Sequence, residues 1–205
     1  MSVRVYWLDC RKVNPDEARV RALMSERRKE KLAVIRDENG RRQSAAAELA
    51  LALAMAREKG IRPQMVNWTT LPGGKPVAEG GLHFSLAHSG NVAVCAVCEQ
   101  NVGVDVEAPR TIAAGMRRKI CSAEEQSLPD TDLLRLWVAK ESYLKLTGEG
   151  ILRAMSGFSA MEGAIIDAEG NRLAHWHAAE EPMPGYILCA CMVDAEKVEM
   201  IELQW

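Results

Sequence analysis

Leu133-Leu134-Arg135-Leu136-Trp137-Val138-Ala139-Lys140-Glu141-Ser142-Tyr143-Leu144-Lys145 reads as one helix that stops at Thr147-Gly148. The stretch has no Gly or Pro, and its apolar residues recur at three- and four-residue spacing. Leu134, Trp137, Val138, Glu141 and Leu144 share one face, and Lys145 lies one turn beyond Glu141. That face is apolar except for Glu141. A carboxylate left unpaired there costs several kcal/mol or takes up a proton, so Glu141 requires a cation. Lys145 would serve, at a gain of about 0.3–0.5 kcal/mol on an exposed face. A metal ion is the other candidate.

A second stretch points to the metal. In Asn101-Val102-Gly103-Val104-Asp105-Val106-Glu107 the three valines alternate with Gly103, Asp105 and Glu107. A strand puts the valines on a core face and both acids on the other, roughly 6.5–7 Å apart at Cα. Two like charges so placed repel, and a divalent cation relieves them. An exposed acidic strand edge would explain the pair equally well in isolation. With Glu141 as a third carboxylate, magnesium suits the set, because it favours a few carboxylates together with water and phosphate oxygens.

Working outward, Val3–Leu8 reads as a strand, 15–35 as one or two helices starting at Pro15, and Asn39-Gly40 as a break before an Ala/Leu-rich helix, Arg41–Lys59, closed by Gly60. Strands follow at 65–68, 82–86 and 91–98, the last two joined by a turn at Ser89-Gly90. The order then recurs: a strand at 102–107, helices at 111–119 and 122–146 with a break near Pro129, and strands at 163–167, 171–177, 185–192 and 198–203. Each half runs strand, helices, strands, with a boundary near residues 99–101. The expectation is α+β, with an N-terminal half at 1–100 and a C-terminal half at 101–205 carrying the metal site.

The 205 residues are 48% apolar with a formal net charge of −2, enough for a core and without the excess of positive charge that nucleic acid or a membrane surface would attract. No run is apolar enough to span a bilayer, and no secretory leader opens the chain, so a cytoplasmic location is expected. The six cysteines then read as reduced and buried. Cys95 and Cys98 fall on opposite faces of a strand, which argues against a redox or metal pair. Cys189, Cys191, His175 and His177 offer zinc-ligand chemistry, but their spacing fits no standard zinc pattern.

Three further clusters carry chemistry that suits phosphate. Lys75 and Pro76 follow two glycines in a turn; His88 and Ser89 present donors before Gly90. Arg28 and Lys31 lie one turn apart on a basic helix, with Arg41 and Arg42 beyond. Each alone is also consistent with an ordinary solvated surface.

Together, Gly74-Lys75-Pro76, Phe84–Gly90, Val102–Glu107 and W-x-x-K-E-x-x-x-K at Trp137–Lys145 resemble the 4′-phosphopantetheinyl transferases of the long, surfactin-synthetase-activating type, in order and in separation. The resemblance implies a pseudo-dimer of two similar α+β halves with the active site between them. It implies transfer of phosphopantetheine from coenzyme A to a serine of an acyl or peptidyl carrier protein, with release of 3′,5′-ADP. It also implies that Asp105, Glu107 and Glu141 hold Mg2+ and that Lys145 contacts phosphate. Lys75 and Pro76 would line the nucleotide end, and His88 with Arg28 and Lys31 would meet the 3′-phosphate. Ser89 and Arg42 would be further coenzyme A contacts, and Glu125 would have a supporting role.

Ala87, Ser85 and Cys121 depart from the family pattern, but no carboxylate is missing. The serine must lose a proton during attack, and Glu141, or a magnesium-bound water that it holds, is the expected base. A monomer is the simplest expectation. A carrier surface is expected at Ile112, Met116 and Ile120 with Arg117, Arg118 and Lys119. A metal-dependent nuclease or phosphohydrolase, and a non-catalytic coenzyme A- or carrier-binding module, are the alternatives.

Overall fold

Alternation builds the first sheet. β1 (Ser2–Asp9) turns Tyr6 and Leu8 to one face and Val3 and Val5 to the other, and all four are buried. The computed structural model describes residues 2–70, 76–78, 81–150, 154–179, 181–194 and 197–205. After β1 come α1 (Ala18–Arg21), α2 (Glu26–Val34), α3 (Glu38–Lys59), a ribbon of β2 (Trp68–Thr70) and β3 (Pro76–Ala78), then β4 (His83–Ser89) and β5 (Val92–Cys98). The second set is β6 (Val102–Glu107), α4 (Arg117–Ile120), α5 (Leu133–Thr147), β7 (Phe158–Met161), β8 (Ala164–Asp167), β9 (Arg172–Ala178), β10 (Ile187–Met192) and β11 (Lys197–Glu202).

The strands form a four-stranded sheet, β11-β1-β5-β4, and a five-stranded sheet, β6-β10-β9-β8-β7. The chain is thus α+β. All pairings are antiparallel except β1 with β11. α3 covers one face of the first sheet, with Ala46, Leu49, Ala50 and Met55 against Tyr6, Leu8, Cys95 and Val97. α5 covers one face of the second, with Val138, Ala139 and Leu146 against Cys189, Cys191 and Ala174. The bare faces meet each other through Val3, Val5, Val94 and Ala96 on one side and Val102, Val104, Leu188 and Ala190 on the other. The result is four layers, helix–sheet–sheet–helix.

Several expectations change. α3 begins at Glu38 and runs through Asn39-Gly40, because Asp37 caps it by accepting the Gly40 N–H at 2.6 Å. A glycine in the first turn, where no N–H has an intrahelical partner, does not break a helix. The actual break lies at residues 35–37. Pro15 precedes the first helix instead of opening it, since α1 starts at Ala18. The strand expected at 65–68 begins at Trp68, after a 3-10 turn, Pro63–Met65. Ser89 is the last residue of β4, and the hairpin turns at 90–91. Only Arg117–Ile120 of the 111–119 region is α-helical, and 122–129 folds as turns around the buried Glu125. β7 was not expected, and β11 leaves the second half to pair with β1 in the first sheet.

The zinc idea ends here, and the expected carrier surface shrinks. In the β9–β10 register Cys191 faces Trp176 and Cys189 faces Ala178, whereas His175 and His177 face Met192 and Ala190. The cysteines and histidines therefore project from opposite faces of the sheet and share no zinc. Ile112, Met116 and Ile120 pack into their own core, and Arg117 is tied to Gln126 O, Leu128 O and Asp130. Ile112 and Ile120 are therefore core and Arg117 is a latch, while Arg118 and Lys119 stay exposed. Cys95 and Cys98 do point into different cores, and all six cysteines are free and buried.

Candidate active site

Gly103 decides how closely α5 approaches the second sheet. A Cβ there would stand 1.9 Å from Ser142 O and 2.5 Å from Leu146 N, so only glycine lets the helix backbone lie on β6. Asp105 and Glu107, on the same face of β6, then meet the next turn of the helix, which carries Glu141 and Lys145. Gly148, left-handed at φ 77°, ends the helix just beyond.

Lys145 Nζ lies 2.7 Å from Asp105 Oδ1, so the Glu141–Lys145 pair, the alternative to a metal, does not form. Glu107 accepts from Ser89 Oγ at 2.7 Å and from Arg110 Nη2 at 2.8 Å. Glu141 is half-buried and makes no hydrogen bond or ion pair among the described residues. Burial, then the nearby charge of Asp105, raises its pKa, with Lys145 opposing and Glu107 adding to the rise. Burial also raises Asp105 against the pull of Lys145. Burial pushes Glu107 up as well, but Arg110 and Ser89 outweigh it and hold Glu107 below the usual carboxylate range. Among the described residues no group of three His, Cys, Asp or Glu side chains stands in metal-holding geometry. The three carboxylates are neighbours, two of them engaged by cations of the chain. Their chemistry, three hard oxygen donors with one lacking any partner, fits a magnesium ion.

The first sheet meets this site edge to edge. Ser85 Oγ accepts the Val104 N–H and Ser89 Oγ accepts the Ala108 N–H, both at 3.1 Å, so two serines of β4 stitch it to β6. His88 lies between them and the basic helix. Desolvation, then Lys145, Lys31 and Arg28, press its imidazole down to about 4. His88 is nonetheless exposed, and the three cations support the direction independently of burial. Lys31 is exposed, and its pKa is lowered by partial burial and by Arg28 and Arg27. Arg28 is not free: it donates to Glu48 at 2.7 Å and to Ser44 at 2.8 Å. Arg42 pairs with Glu38 and lines a separate surface cleft with Arg11, Lys12 and Arg41. Lys75 and the side chain of Pro76 lie outside the described residues.

Sequence reasoning missed four participants. Arg110 holds Glu107, and Glu48 holds Arg28. Tyr186 Oη accepts the Asn91 N–H at 2.7 Å and fixes the turn after Ser89, where Gly90 has φ 53°. Lys140, fully buried, donates to Glu125 and to the carbonyls of Ile120, Met155 and Phe158. Glu125 also accepts the N–H groups of Ser122 and Ala160. Glu48 carried a local signal, a charge inside an alanine run.

Residues 101–191 match the family model described as the 4′-phosphopantetheinyl transferase superfamily. The chain is 28% identical over 154 residues to a 4′-phosphopantetheinyl transferase of Bacillus subtilis, across 70% of this chain and 69% of that one. It is 33% identical over 129 residues to the 4′-phosphopantetheinyl transferase HetI of Nostoc sp. (strain PCC 7120), across 55% of this chain and 54% of the other, so that alignment spans about half of either. To the 4′-phosphopantetheinyl transferase Sfp of Bacillus subtilis (strain 168) it is 22% identical over 202 residues, across 92% and 90%.

Proposed function

We propose that this chain is a 4′-phosphopantetheinyl transferase, which transfers the 4′-phosphopantetheine group of coenzyme A to a serine hydroxyl of a carrier protein and releases 3′,5′-ADP. The observation that carries this reading is Glu141: a half-buried carboxylate without a partner, beside Asp105, Glu107 and Lys145, inside the segment that matches the family.

Asp105, Glu107 and Glu141 would hold Mg2+, which when bound supplies positive charge against a diphosphate. Lys145 lies over the same acids and neutralises charge on the phosphoryl oxygens as the bond to 3′,5′-ADP breaks. The serine oxygen forms the new P–O bond as the bond to 3′,5′-ADP breaks, and its proton passes to Glu141 or to a water that Glu141 holds. Lys31 and Arg28 lie near His88 and offer charge to the 3′-phosphate. Ser89, hydrogen-bonded to Glu107, would meet coenzyme A beside the metal ligands. Arg42, Lys75 and Pro76 remain proposed coenzyme A contacts.

One helix laid on one sheet in each half supports reading the fold as a pseudo-dimer, with halves that divide near residues 100 and 101 and a monomeric chain. Six free cysteines support a cytoplasmic setting. Among the described residues no helix is long and apolar enough to cross a membrane. The test is the mass of an apo carrier protein incubated with this chain, coenzyme A and Mg2+. A gain of one phosphopantetheine per carrier is expected. An unchanged carrier alongside cleaved coenzyme A or nucleic acid overturns the reading.

A further inference from the structure

Arg110 follows the acidic strand and reaches both Glu107 and the ring of Trp137. It donates to Glu107 from Nη2 at 2.8 Å and from Nε at 3.3 Å, and its Cζ lies 6.0 Å from the centroid of the Trp137 ring, one turn before Glu141 on α5. Lys145 engages Asp105 in the same way. Each strand acid thus has a cation of the chain's own, and the five groups together leave at most one net negative charge, on Glu141.

A divalent ion arriving alone meets two strand acids that are already neutralised, and taking either displaces a cation for which only Glu141, itself needed by the metal, remains. A divalent ion arriving with a diphosphate brings those anions. The guanidinium fork fits a carboxylate or a phosphate equally well, so Arg110 loses little by the exchange. We propose that Arg110, held against Trp137, is a positioning residue that keeps Glu107 engaged until a diphosphate arrives, so that the metal ion and coenzyme A load together. This rests on the reading of Asp105, Glu107 and Glu141 as metal ligands.

The test is Mn2+ binding to the full chain, followed by the electron paramagnetic resonance signal of free Mn2+, with and without coenzyme A. The chain alone is expected to bind Mn2+ weakly, and coenzyme A to tighten binding at least about tenfold. Arg110→Ala and Arg110→Gln should tighten Mn2+ binding to the coenzyme A-free chain by about 5- to 10-fold and shrink the effect of coenzyme A, while Arg110→Lys stays near the parent. Trp137→Ala should shift affinity in the same direction by less. Unchanged or weaker Mn2+ affinity in both neutral variants, with coenzyme A still tightening Mn2+ on the parent, overturns the role of Arg110 and leaves the metal reading intact. If the parent takes up no Mn2+ even with coenzyme A, both fail.

Discussion

Lys140 and Glu141 are consecutive residues of α5 that point about 100° apart, and their surroundings differ completely. Lys140 is fully buried and fully engaged, by one carboxylate and three carbonyls that brace α5 against the 120–125 and 155–160 segments. Glu141 is half-buried and engaged by nothing among the described residues. A fold tolerates a buried charge when every hydrogen bond is made, and departs from that rule where a ligand completes the set. The satisfied side of the helix is the brace, and the unsatisfied side is the candidate site.

The sharpest break of that contrast is to remove each charge in turn. Glu141→Gln should lower transfer, read as carrier mass gained per minute, by more than about a thousandfold, because metal binding and proton transfer go together. Its melting temperature should hold or rise, since the fold raises the pKa of this group and so disfavours its charge. Lys140→Met should instead cost about 3–5 kcal/mol in denaturant unfolding by stranding Glu125, and Lys140→Met with Glu125→Leu should recover much of that. A stability loss in the first variant together with a normal melt in the second would reverse the assignment of the two faces.

Gly103→Ala comes next. The methyl group would drive α5 off β6, for roughly 1–3 kcal/mol of stability and a drop in transfer larger than that loss explains. Equal activity at saturating Mg2+ would mean that the site does not need the close approach.

The smallest effect concerns His88. Its pKa lies at about 4 instead of the ordinary 6.5, so between those values the unfolded chain holds more protons than the folded one. Stability should therefore fall as the pH drops through that window, modestly because the side chain is exposed, and His88→Asn should remove that share. Nuclear magnetic resonance titration of the ring should show its pKa rising when 3′,5′-ADP binds, as a phosphate offsets Lys31, Arg28 and Lys145. A ring that titrates at 6.5 with or without ligand would take His88 out of the cationic cluster.

What the sequence makes legible follows from periodicity. Val102–Glu107 alternates, α5 repeats at helical spacing, and the polar residues that interrupt those patterns, Asp105, Glu107 and Glu141, are the candidate site. What it hides depends on distance along the chain. Lys140 looks like a surface lysine until Glu125, fifteen residues back, is seen to fold underneath it. Arg28 looks like a solvated helix arginine until Glu48, twenty residues on in α3, is seen to hold it. Asn39-Gly40 looks like a break because the cap that rescues it is the side chain of Asp37. Nothing local could place β11 beside β1, since a parallel partner carries no turn signal.

That parallel pairing has a consequence for synthesis. β1 leaves the ribosome long before β11, and its outer edge finds a partner only when residues 197–202 have been made. Until then one flank of β1 exposes open hydrogen-bonding groups to the crowded cell, a sticky template during translation. Nascent chains stalled before residue 197 should therefore lean on chaperones that shield strand edges, and shed them once β11 has emerged.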